Sequence, residues 1–284
     1  MAEFVPNEDL LFPQGSTILV TGVSGMIAVH IADEALKAGF RVRGTVRSVE
    51  KGQAVAEILK SPDFEFAIVQ DMAADAAFDE AMKGVSAAIH TASIHNFSGS
   101  LGDVSPPLVR GSKNILEAAL ANQTVKRVIF TSSTGTAANP RPGVKFHIGR
   151  DTWNEEALDL VQNTPPQKQD EMGFDWKMQV YRVAKVETER AVWSFVEQRR
   201  PPFDVNVINP GLNFGKAKGS IGVSGGQVLN LLEGNVPQIP SRESYSYYVC
   251  SLVRASDADI VPVTGTSVYD RCRRRCAHSC RCCG

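Results

Sequence analysis

Strand and helix signals alternate along the first two-thirds of the chain. Short runs rich in β-branched residues, such as STILVTG (16–22), precede stretches with helical spacing, such as MIAVHIADEALKAG (26–39) and PLVRGSKNILEAALAN (107–122). Six strands are predicted in this way, and they are almost continuously apolar. Apolar strands joined by helical crossovers are typical of a parallel sheet covered on both faces. The alternation therefore predicts an α/β fold with a doubly wound parallel sheet.

The character of the sequence changes after the sixth predicted strand. Residues 1–210 carry the alternating pattern of a Rossmann fold. Residues 211–250 contain one helical segment between glycine-rich loops, and the run SYSYYV could add a strand. Residues 251–284 lose clear periodicity and are rich in cysteine and arginine. We predict a nucleotide-binding domain, a small and apparently truncated C-terminal substrate lobe, and an atypical, disordered tail.

Charge and hydropathy exclude several kinds of partner. Thirty basic residues against 31 acidic ones give a net charge of -1, so we predict that nucleic acid is not a partner. The N-terminal segment is acidic and broken by prolines, unlike a secretory signal, and no apolar run is long enough to cross a bilayer. The first 249 residues contain no cysteine, as in reduced cytosolic proteins. We expect a cytoplasmic protein with a small-molecule partner.

The cysteines of the tail raise the question of a metal site. Cys272, Cys276, Cys280, Cys282 and Cys283 lie close together, with a histidine among them. Structural zinc sites normally use paired C-x-x-C segments, which this spacing lacks. We therefore predict no metal, and we interpret the tail as the product of truncation, a frameshift or altered splicing.

The turn after the first strand, TGVSGMIA, has the spacing of a dinucleotide-binding fingerprint. Gly22 allows the tight turn from strand to helix, Gly25 lets the backbone approach a pyrophosphate, and Ala28 lets the helix lie close to the sheet. Free N–H groups at the start of the helix would face the anion. A glycine pattern alone is weak evidence, but here it follows a strand and opens a helix.

The ends of the second and third strands indicate which dinucleotide binds. An NAD site needs a carboxylate about 20 residues beyond the glycines, where this chain has Arg47, with Arg43 before it and Lys51 after it. A guanidinium suits a 2′-phosphate, so NADP(H) is favoured over NAD(H), although these cations could simply be solvated. Asp71 suits the adenine amino group with Met72 packed beside the ring, or it is an ordinary surface residue.

The segment YRVAK places Tyr181 and Lys185 on one face of a predicted helix. A carbonyl that accepts a hydride develops negative charge on oxygen, and a phenol can protonate it. A nearby ammonium should stabilise the phenolate and lower the pKa of Tyr181. The serines after the fifth strand offer a second donor, with Ser133 preferred and Ser132 as the alternative.

The order of these motifs resembles that of extended short-chain dehydrogenases/reductases. TGVSGMIA, RGTVRS, HTAS, FTSS, YRVAK and INPGLNFG carry the resemblance, which covers about residues 16–249 and is strongest to fungal NADPH-dependent carbonyl and aldehyde reductases related to plant dihydroflavonol reductase. It implies that Ser133, Tyr181 and Lys185 are catalytic. The glycine turn, the strand ends and the resemblance together predict cofactor contacts at Thr21, Gly22, Gly25, Met26, Ile27, Arg47, Lys51, Asp71, Met72, Thr91, Ala92, Ser93, Tyr181, Lys185, Pro210 and Asn213.

The predicted function is NADPH-dependent reduction of a ketone or aldehyde to an alcohol. Two alternatives stay open. Without a complete substrate lobe, the protein could be a catalytically impaired remnant. A nucleotide-sugar epimerase or dehydratase would share the fold and the triad, but it would favour tightly held NAD and an acidic residue in place of Arg47.

Other candidate side chains have simpler explanations. His90 lies within an apolar strand and is predicted to be a core residue, whereas His95 is either a polar loop residue or part of the pocket. Met172 and Phe174 precede the catalytic helix and could equally contact substrate or pack, as could Trp176. Packing is the expected role of the tryptophans, namely Trp153, Trp176 and Trp193.

Overall fold

The computed structural model describes residues 10–94, 98–139, 147–149, 151–211, 213–234 and 252–255. Within these residues one sheet has the strand order β3-β2-β1-β4-β5-β6-β7. The strands are β1 (Thr17–Thr21), β2 (Arg41–Val46), β3 (Phe64–Ile68), β4 (Val85–His90), β5 (Arg127–Thr131), β6 (Asp204–Asn209) and β7 (Leu252–Ala255). The helices are α1 (Met26–Lys37), α2 (Val49–Leu59), α3 (Asp79–Met82), α4 (Leu101–Ala121), α5 (Glu155–Asn163), α6 (Pro166–Met172), α7 (Phe174–Arg199) and α8 (Gly222–Leu232).

The first six strands run parallel, and the chain leaves β1 in one direction to form β2 and β3 and returns to its other side to form β4. This is the strand order of the doubly wound Rossmann fold, so the predicted fold class is confirmed. At the point where the order reverses, the carboxyl ends of β1 and β4 border a crevice, and ligands bind there in open α/β sheets.

Alternation along β1 divides the core between the two faces of the sheet. Ile18 and Val20 pack on the side of α1 and α2, with Val55 of α2 in the same cluster. Leu19 points to the opposite face, where it joins Ile115 of α4 in a larger cluster that also includes α7. All five of these side chains are buried, and truncating such a residue as Leu19 to Ala costs about 2–5 kcal/mol.

Helix α4 begins at Leu101, six residues before the start predicted at Pro107. Pro106 and Pro107 lie inside this helix and remove two backbone N–H donors from it. Val104 and Leu108 on the same turns are buried against α7. We infer that burial of these apolar side chains offsets the lost hydrogen bonds, an effect of tertiary packing that local propensity does not contain.

Two further elements lie where the sequence predicted none. Helix α5 lies between the fifth predicted strand and the predicted helix of Tyr181, and its start is capped by Asn154, whose side chain accepts a hydrogen bond from the Ala157 amide at 3.0 Å. Asn followed by two acidic residues is an N-cap signal that could have identified it. Strand β7 pairs antiparallel with β6 inside the segment predicted to be disordered. The SYSYYV run and the cysteines lie outside the described residues.

Candidate active site

The turn after β1 requires glycine at its first position. Gly22 has φ +65°, and a Cβ atom there would lie 3.0 Å from the backbone Cα of Ala92 in the loop after β4. The Gly22 amide donates to the Thr45 hydroxyl at 3.1 Å, which ties the turn to β2. The Gly25 amide donates to the Gly22 carbonyl at 2.9 Å and closes the turn. Two neighbouring strands therefore fix the backbone of this turn.

Helix α1 starts directly after this turn with Gly25 as its N-cap residue. Gly25 provides no side chain to cap the helix, and the first turn contains no acidic residue. The amides of Met26 and Ile27 belong to the first turn, where N–H groups have no carbonyl partner within the helix. The positive end of the helix dipole adds to them, and the geometry suits a phosphate group.

The loop after β4 is held against the same turn by a buried threonine. The Thr21 hydroxyl accepts hydrogen bonds from the amides of Thr91 at 3.1 Å and Ala92 at 3.0 Å, and it lies 2.9 Å from Nδ1 of His90. Thr21 is fully buried, so its side chain organises the crevice from within. Ser93, the next residue of the loop, has a buried hydroxyl without a hydrogen-bond partner within the described structure. Such a group suits a ligand contact.

The cations near the end of β2 have different environments. Arg43 is used within the fold, because its Nε donates to Glu65 at 2.7 Å and its Nη1 donates to the carbonyls of Ala81 and Lys83. Arg47, one residue beyond β2, is exposed, as is Lys51 in the first turn of α2. Of the three cations, Arg47 and Lys51 are thus placed to meet a phosphate, and Arg43 is not.

The segment after β3 lies at the far side of the crevice. Asp71 is exposed, and its Oδ1 accepts a hydrogen bond from the Ala73 amide at 2.8 Å. Met72 packs on Gly111 of α4, where a Cβ atom would lie 2.8 Å from the Met72 Cγ. Asn114 of α4 donates to the Met72 carbonyl at 2.9 Å. Helix α4 therefore fixes the position of Met72, and Asp71 precedes it directly in the chain.

Ser133, Tyr181 and Lys185 come together where β5 ends against α7. The Ser133 hydroxyl is hydrogen-bonded to Tyr181, and it also accepts from the Gly135 amide at 3.2 Å. The Lys185 Nζ lies 5.9 Å from the centroid of the Tyr181 ring and donates to the Thr131 carbonyl at 3.4 Å. The three predicted catalytic side chains thus share one end of the sheet, which is the end that carries the glycine turn.

The structure separates the two candidate serines. Ser132 points toward α7, where its hydroxyl donates to Oε2 of Glu189 at 2.8 Å. Ser133, the next residue, is hydrogen-bonded to Tyr181. Both serines thus contact α7, but at positions about two turns apart along the helix. The geometry favours Ser133 over Ser132 as the second donor.

Burial dominates the electrostatics of these groups. Burial raises the pKa of Tyr181, and this outweighs the hydrogen bond from Ser133 and the charge of Arg182, which both lower it. Burial also lowers the pKa of Lys185 to about 8, although the charge of Glu189 opposes the shift. From the sequence we expected the ammonium to lower the pKa of Tyr181. That prediction is wrong for the protein alone, because loss of solvent disfavours the phenolate more than the neighbouring charges favour it.

Comparison with known proteins places this geometry in a family. Residues 19–169 match the 3-beta hydroxysteroid dehydrogenase/isomerase family. Aldehyde reductase 2 of Sporidiobolus salmonicolor is 33% identical over 86% of this chain and 72% of its own length. The chain belongs to this dehydrogenase family. The resemblance to extended short-chain dehydrogenases/reductases, and to fungal carbonyl and aldehyde reductases, is thereby confirmed.

Two further relatives bear on the chemistry of this family. The NAD-dependent epimerase/dehydratase terH of Aspergillus terreus is 37% identical over 72% of this chain and 60% of its own length. The crystal structure of yeast methylglyoxal/isovaleraldehyde reductase Gre2 complexed with NADPH superposes with a TM-score of 0.60 at 28% identity, over 71% of this chain and 59% of Gre2. The chain therefore spans less than two-thirds of the length of both proteins.

The remaining predicted cofactor contacts lie around the end of β6. The Pro210 carbonyl accepts a hydrogen bond from the Thr134 amide at 3.0 Å, which joins the loops after β5 and β6. Asn213 donates to the Gly211 carbonyl at 3.0 Å and is partly buried. Both residues are near the serine loop, and their contact with a cofactor stays a prediction.

Most of the aromatic side chains pack, as predicted. Trp176 is buried in a cluster with α4 and donates to the Gly99 carbonyl at 2.8 Å, and Trp193 packs against the main core. Trp153 stacks with the Arg190 guanidinium at 5.0 Å. His90 is a buried core residue, as predicted, and His95 lies outside the described residues.

Two residues of the site were not predicted from the sequence. Thr45 anchors the glycine turn through its hydroxyl, and Glu189, four residues after Lys185, accepts a hydrogen bond from the Ser132 hydroxyl. The spacing of Lys185 and Glu189 places them on the same side of α7, so the helical period was an available signal. In the described part of the chain, no cluster of three or more potential metal ligands is present, and no helix is both long and apolar enough to span a bilayer.

Proposed function

We propose that this protein reduces a ketone or aldehyde to an alcohol with NADPH. The observation that carries the proposal is the convergence of Ser133, Tyr181 and Lys185 beside the glycine turn, at the carboxyl end of a doubly wound sheet. The relatives named as an aldehyde reductase and as Gre2 in complex with NADPH support the same chemistry.

The crevice fits a dinucleotide in several independent ways. A side chain at Gly22 would collide with the backbone of Ala92 and distort the turn, and the start of α1 offers amides without helical partners. The unpartnered Ser93 hydroxyl lies beside this turn. Arg47 is exposed at the end of β2, where a carboxylate would repel a 2′-phosphate. These residues would hold NADPH, which supplies the hydride when bound.

The side chains of this protein would orient the carbonyl and deliver the proton. Ser133 and Tyr181 can both donate hydrogen bonds to one carbonyl oxygen, which places them to stabilise the developing negative charge. The raised pKa of Tyr181 keeps the phenol protonated before the reaction, so that it has a proton to give. The Lys185 ammonium lies near the ring and would stabilise the phenolate that results.

We also propose a division of labour along the chain. Residues 1–210 would bind the cofactor and carry the triad, and residues 211–250 would contribute to the substrate pocket. Helix α8 supports this division, because Gly222 at its start packs on Met26, the first residue of α1. Exposed apolar side chains on α8, such as Leu229 and Leu232, would suit a substrate with an apolar body.

The proposal is tested by mixing the purified protein with NADPH and a panel of aldehydes and ketones. Consumption of NADPH is followed by its absorbance, and cofactor binding is measured separately by calorimetry. We expect turnover with at least one carbonyl. Binding of NADPH without turnover on any carbonyl would support an impaired remnant, and the absence of both would refute the assignment.

A second candidate is an epimerase or dehydratase acting on a nucleotide sugar. The relative terH, named as an NAD-dependent epimerase/dehydratase, favours it. Such an enzyme would prefer NAD, whereas Arg47 favours the 2′-phosphate of NADPH. Comparing the affinities of NADPH and NADH separates the two functions, and tighter binding of NADH would favour the second.

A further inference from the structure

A buried carboxylate lies one helical turn beyond Lys185 and has no part in the steps above. Glu189 is 2% exposed, and Lys185 is 6% exposed. Four residues apart on α7, they lie on the same face of the helix. Among the buried residues that the structure describes, they are the two ionisable ones besides His90, whose pKa is lowered to about 3 by burial and then by the charge of Lys185.

Both charges are fixed to the end of β5. Ser132 donates to Oε2 of Glu189 at 2.8 Å, and Lys185 donates to the carbonyl of Thr131 at 3.4 Å. Both charged residues line one cavity of about 20 Å³, together with the end of β5 and Thr188. A cavity of this volume is large enough for one water molecule. The carboxylate and the ammonium therefore belong to the wall of the same small cavity.

The surroundings of Lys185 offer no other compensation within the described residues. Tyr181 on α7 and His90 on β4 are the other titratable groups near it, and both are neutral at pH 7. Helix α4 contributes Leu108 and Ser112 to the cavity wall, and neither carries a charge. An uncompensated ammonium in such an environment would lose its proton easily.

We infer that Glu189 is a positioning residue, which keeps the Lys185 ammonium protonated and directed at the end of β5 beside Tyr181. The inference rests on the proposed reductase function, in which Lys185 must be charged to stabilise the phenolate. Ser132 holds the carboxylate in place, which gives this serine a role distinct from that of Ser133. Glu189 acts through Lys185 and makes no contact with the reacting atoms.

Replacing Glu189 with Gln keeps its size and its acceptor for Ser132 but removes the charge. Burial holds the pKa of Lys185 at about 8 against the charge of Glu189, and loss of an opposite charge at this range lowers a pKa by about one unit. We expect the alkaline limb of kcat to move down by about one pH unit. At about pH 8 the charged fraction of Lys185, and hence kcat, would fall about fivefold, with little change at about pH 6.

Glu187→Gln is the matched control for this experiment. Glu187 lies on the same helix and accepts a hydrogen bond from Ser105 of α4, but it belongs to neither the cavity nor the triad. We expect its pH profile to match that of the unchanged protein. A Glu189→Gln variant whose kcat falls equally at every pH would overturn the inference, because a merely structural role predicts that pattern. Glu189→Asp, which restores the charge, should return the alkaline limb toward its original position.

A thermal unfolding cycle tests the same pairing without any activity. Glu189→Gln and Lys185→Met each remove one of two opposite buried charges and keep the other, so each should lower Tm. The double variant leaves no buried charge, and we expect its Tm to exceed that of both single variants, even if Glu189→Gln alone fails to fold. Additive losses would overturn the inference. Absence of carbonyl reduction by the unchanged protein would instead count against the reductase function alone.

Discussion

The two sides of the crevice present different kinds of chemical group. On the proposed cofactor side, between β1, β2 and β4, the candidate groups are backbone amides, a hydroxyl without a partner among the described residues, and exposed cations. On the proposed proton-transfer side, between β5 and α7, they are side chains whose pKa values are shifted by loss of solvent. The first side depends on backbone shape, and the second depends on charge compensation in a low-dielectric environment.

This difference implies different sensitivities to mutation. A backbone site is damaged by added volume or by a change of φ, and it tolerates conservative changes elsewhere. A buried charge site is damaged when one partner is removed, even if the volume is unchanged. Substitutions on the two sides should therefore affect different measurements, cofactor affinity on one side and turnover with its pH dependence on the other.

The largest effect is expected from Tyr181→Phe. This change removes the phenolic proton and leaves the ring, so turnover should fall by about 10²–10⁴-fold, as for loss of a general acid. Affinity for NADPH should remain within about threefold, because the phosphate-binding groups lie on the other side of the crevice. Steady-state kinetics and calorimetry measure the two quantities. A loss of NADPH binding that matches the loss of turnover would contradict the proposal that the two sides have separate roles.

Gly22→Ala should produce the converse result. At φ +65° a side chain costs about 1–2 kcal/mol, and the new Cβ would also lie 3.0 Å from the Cα of Ala92. We expect NADPH binding to be lost and the free energy of unfolding to fall. Gly84→Ala is the matched control, because Gly84 has φ +70° but open space around it. The control should lose stability and keep its cofactor affinity. Equal NADPH affinity in both variants would contradict the proposed role of the turn.

Arg47→Ala addresses cofactor choice and should have a smaller effect. Loss of a charge-assisted contact with a 2′-phosphate costs about 1.5–3 kcal/mol, which weakens NADPH binding at least about tenfold. NADH lacks this phosphate, so its affinity should not change. Arg41→Ala, at the other end of β2 and likewise exposed, is the control. Equal losses for the two cofactors would show that Arg47 does not recognise the phosphate.

The same contrast explains what could be predicted from the sequence. The parallel sheet followed from apolar strands and helical spacing, and the turn at Gly22 followed from a glycine pattern that encodes backbone conformation directly. The start of α4 was missed because burial of Val104 and Leu108 outweighs two prolines. Helix α5 was missed although its cap at Asn154 was visible.

The charge states of Tyr181 and Lys185 could not be predicted from the sequence. Spacing alone placed Tyr181 and Lys185 on one helix face, but the pKa of each depends on how much solvent the surrounding elements exclude. The expected lowering for Tyr181 was reversed by that burial. Glu189 was overlooked for the same reason, because its importance arises from the depth at which α7 packs on β5.

His90 interacts with Thr21 on one side of the crevice and with the charge of Lys185 on the other. We expect its replacement to have the smallest effect. Its Nδ1 bonds the Thr21 hydroxyl on the cofactor side, and burial, followed by the charge of Lys185, lowers its pKa to about 3. Below the ordinary histidine pKa of about 6.5 the unfolded chain binds a proton that the folded protein cannot, so stability is lost as pH falls. Between about pH 7 and pH 5.5 the loss is about 1 kcal/mol.

His90→Gln keeps a polar group near Thr21 and does not titrate in this range. The variant should be less stable overall, because it loses edge-to-face packing with Phe78 and Phe130, but its stability should depend less on pH. Chemical denaturation of both proteins at several pH values measures their free energies of unfolding. Subtracting one from the other removes the contribution of the carboxylates, which both proteins share. An identical pH dependence for the two proteins would mean that His90 binds a proton equally well in the folded and unfolded states. Burial and the charge of Lys185 would then not lower the pKa of His90, and the electrostatic contrast between the two sides would be contradicted.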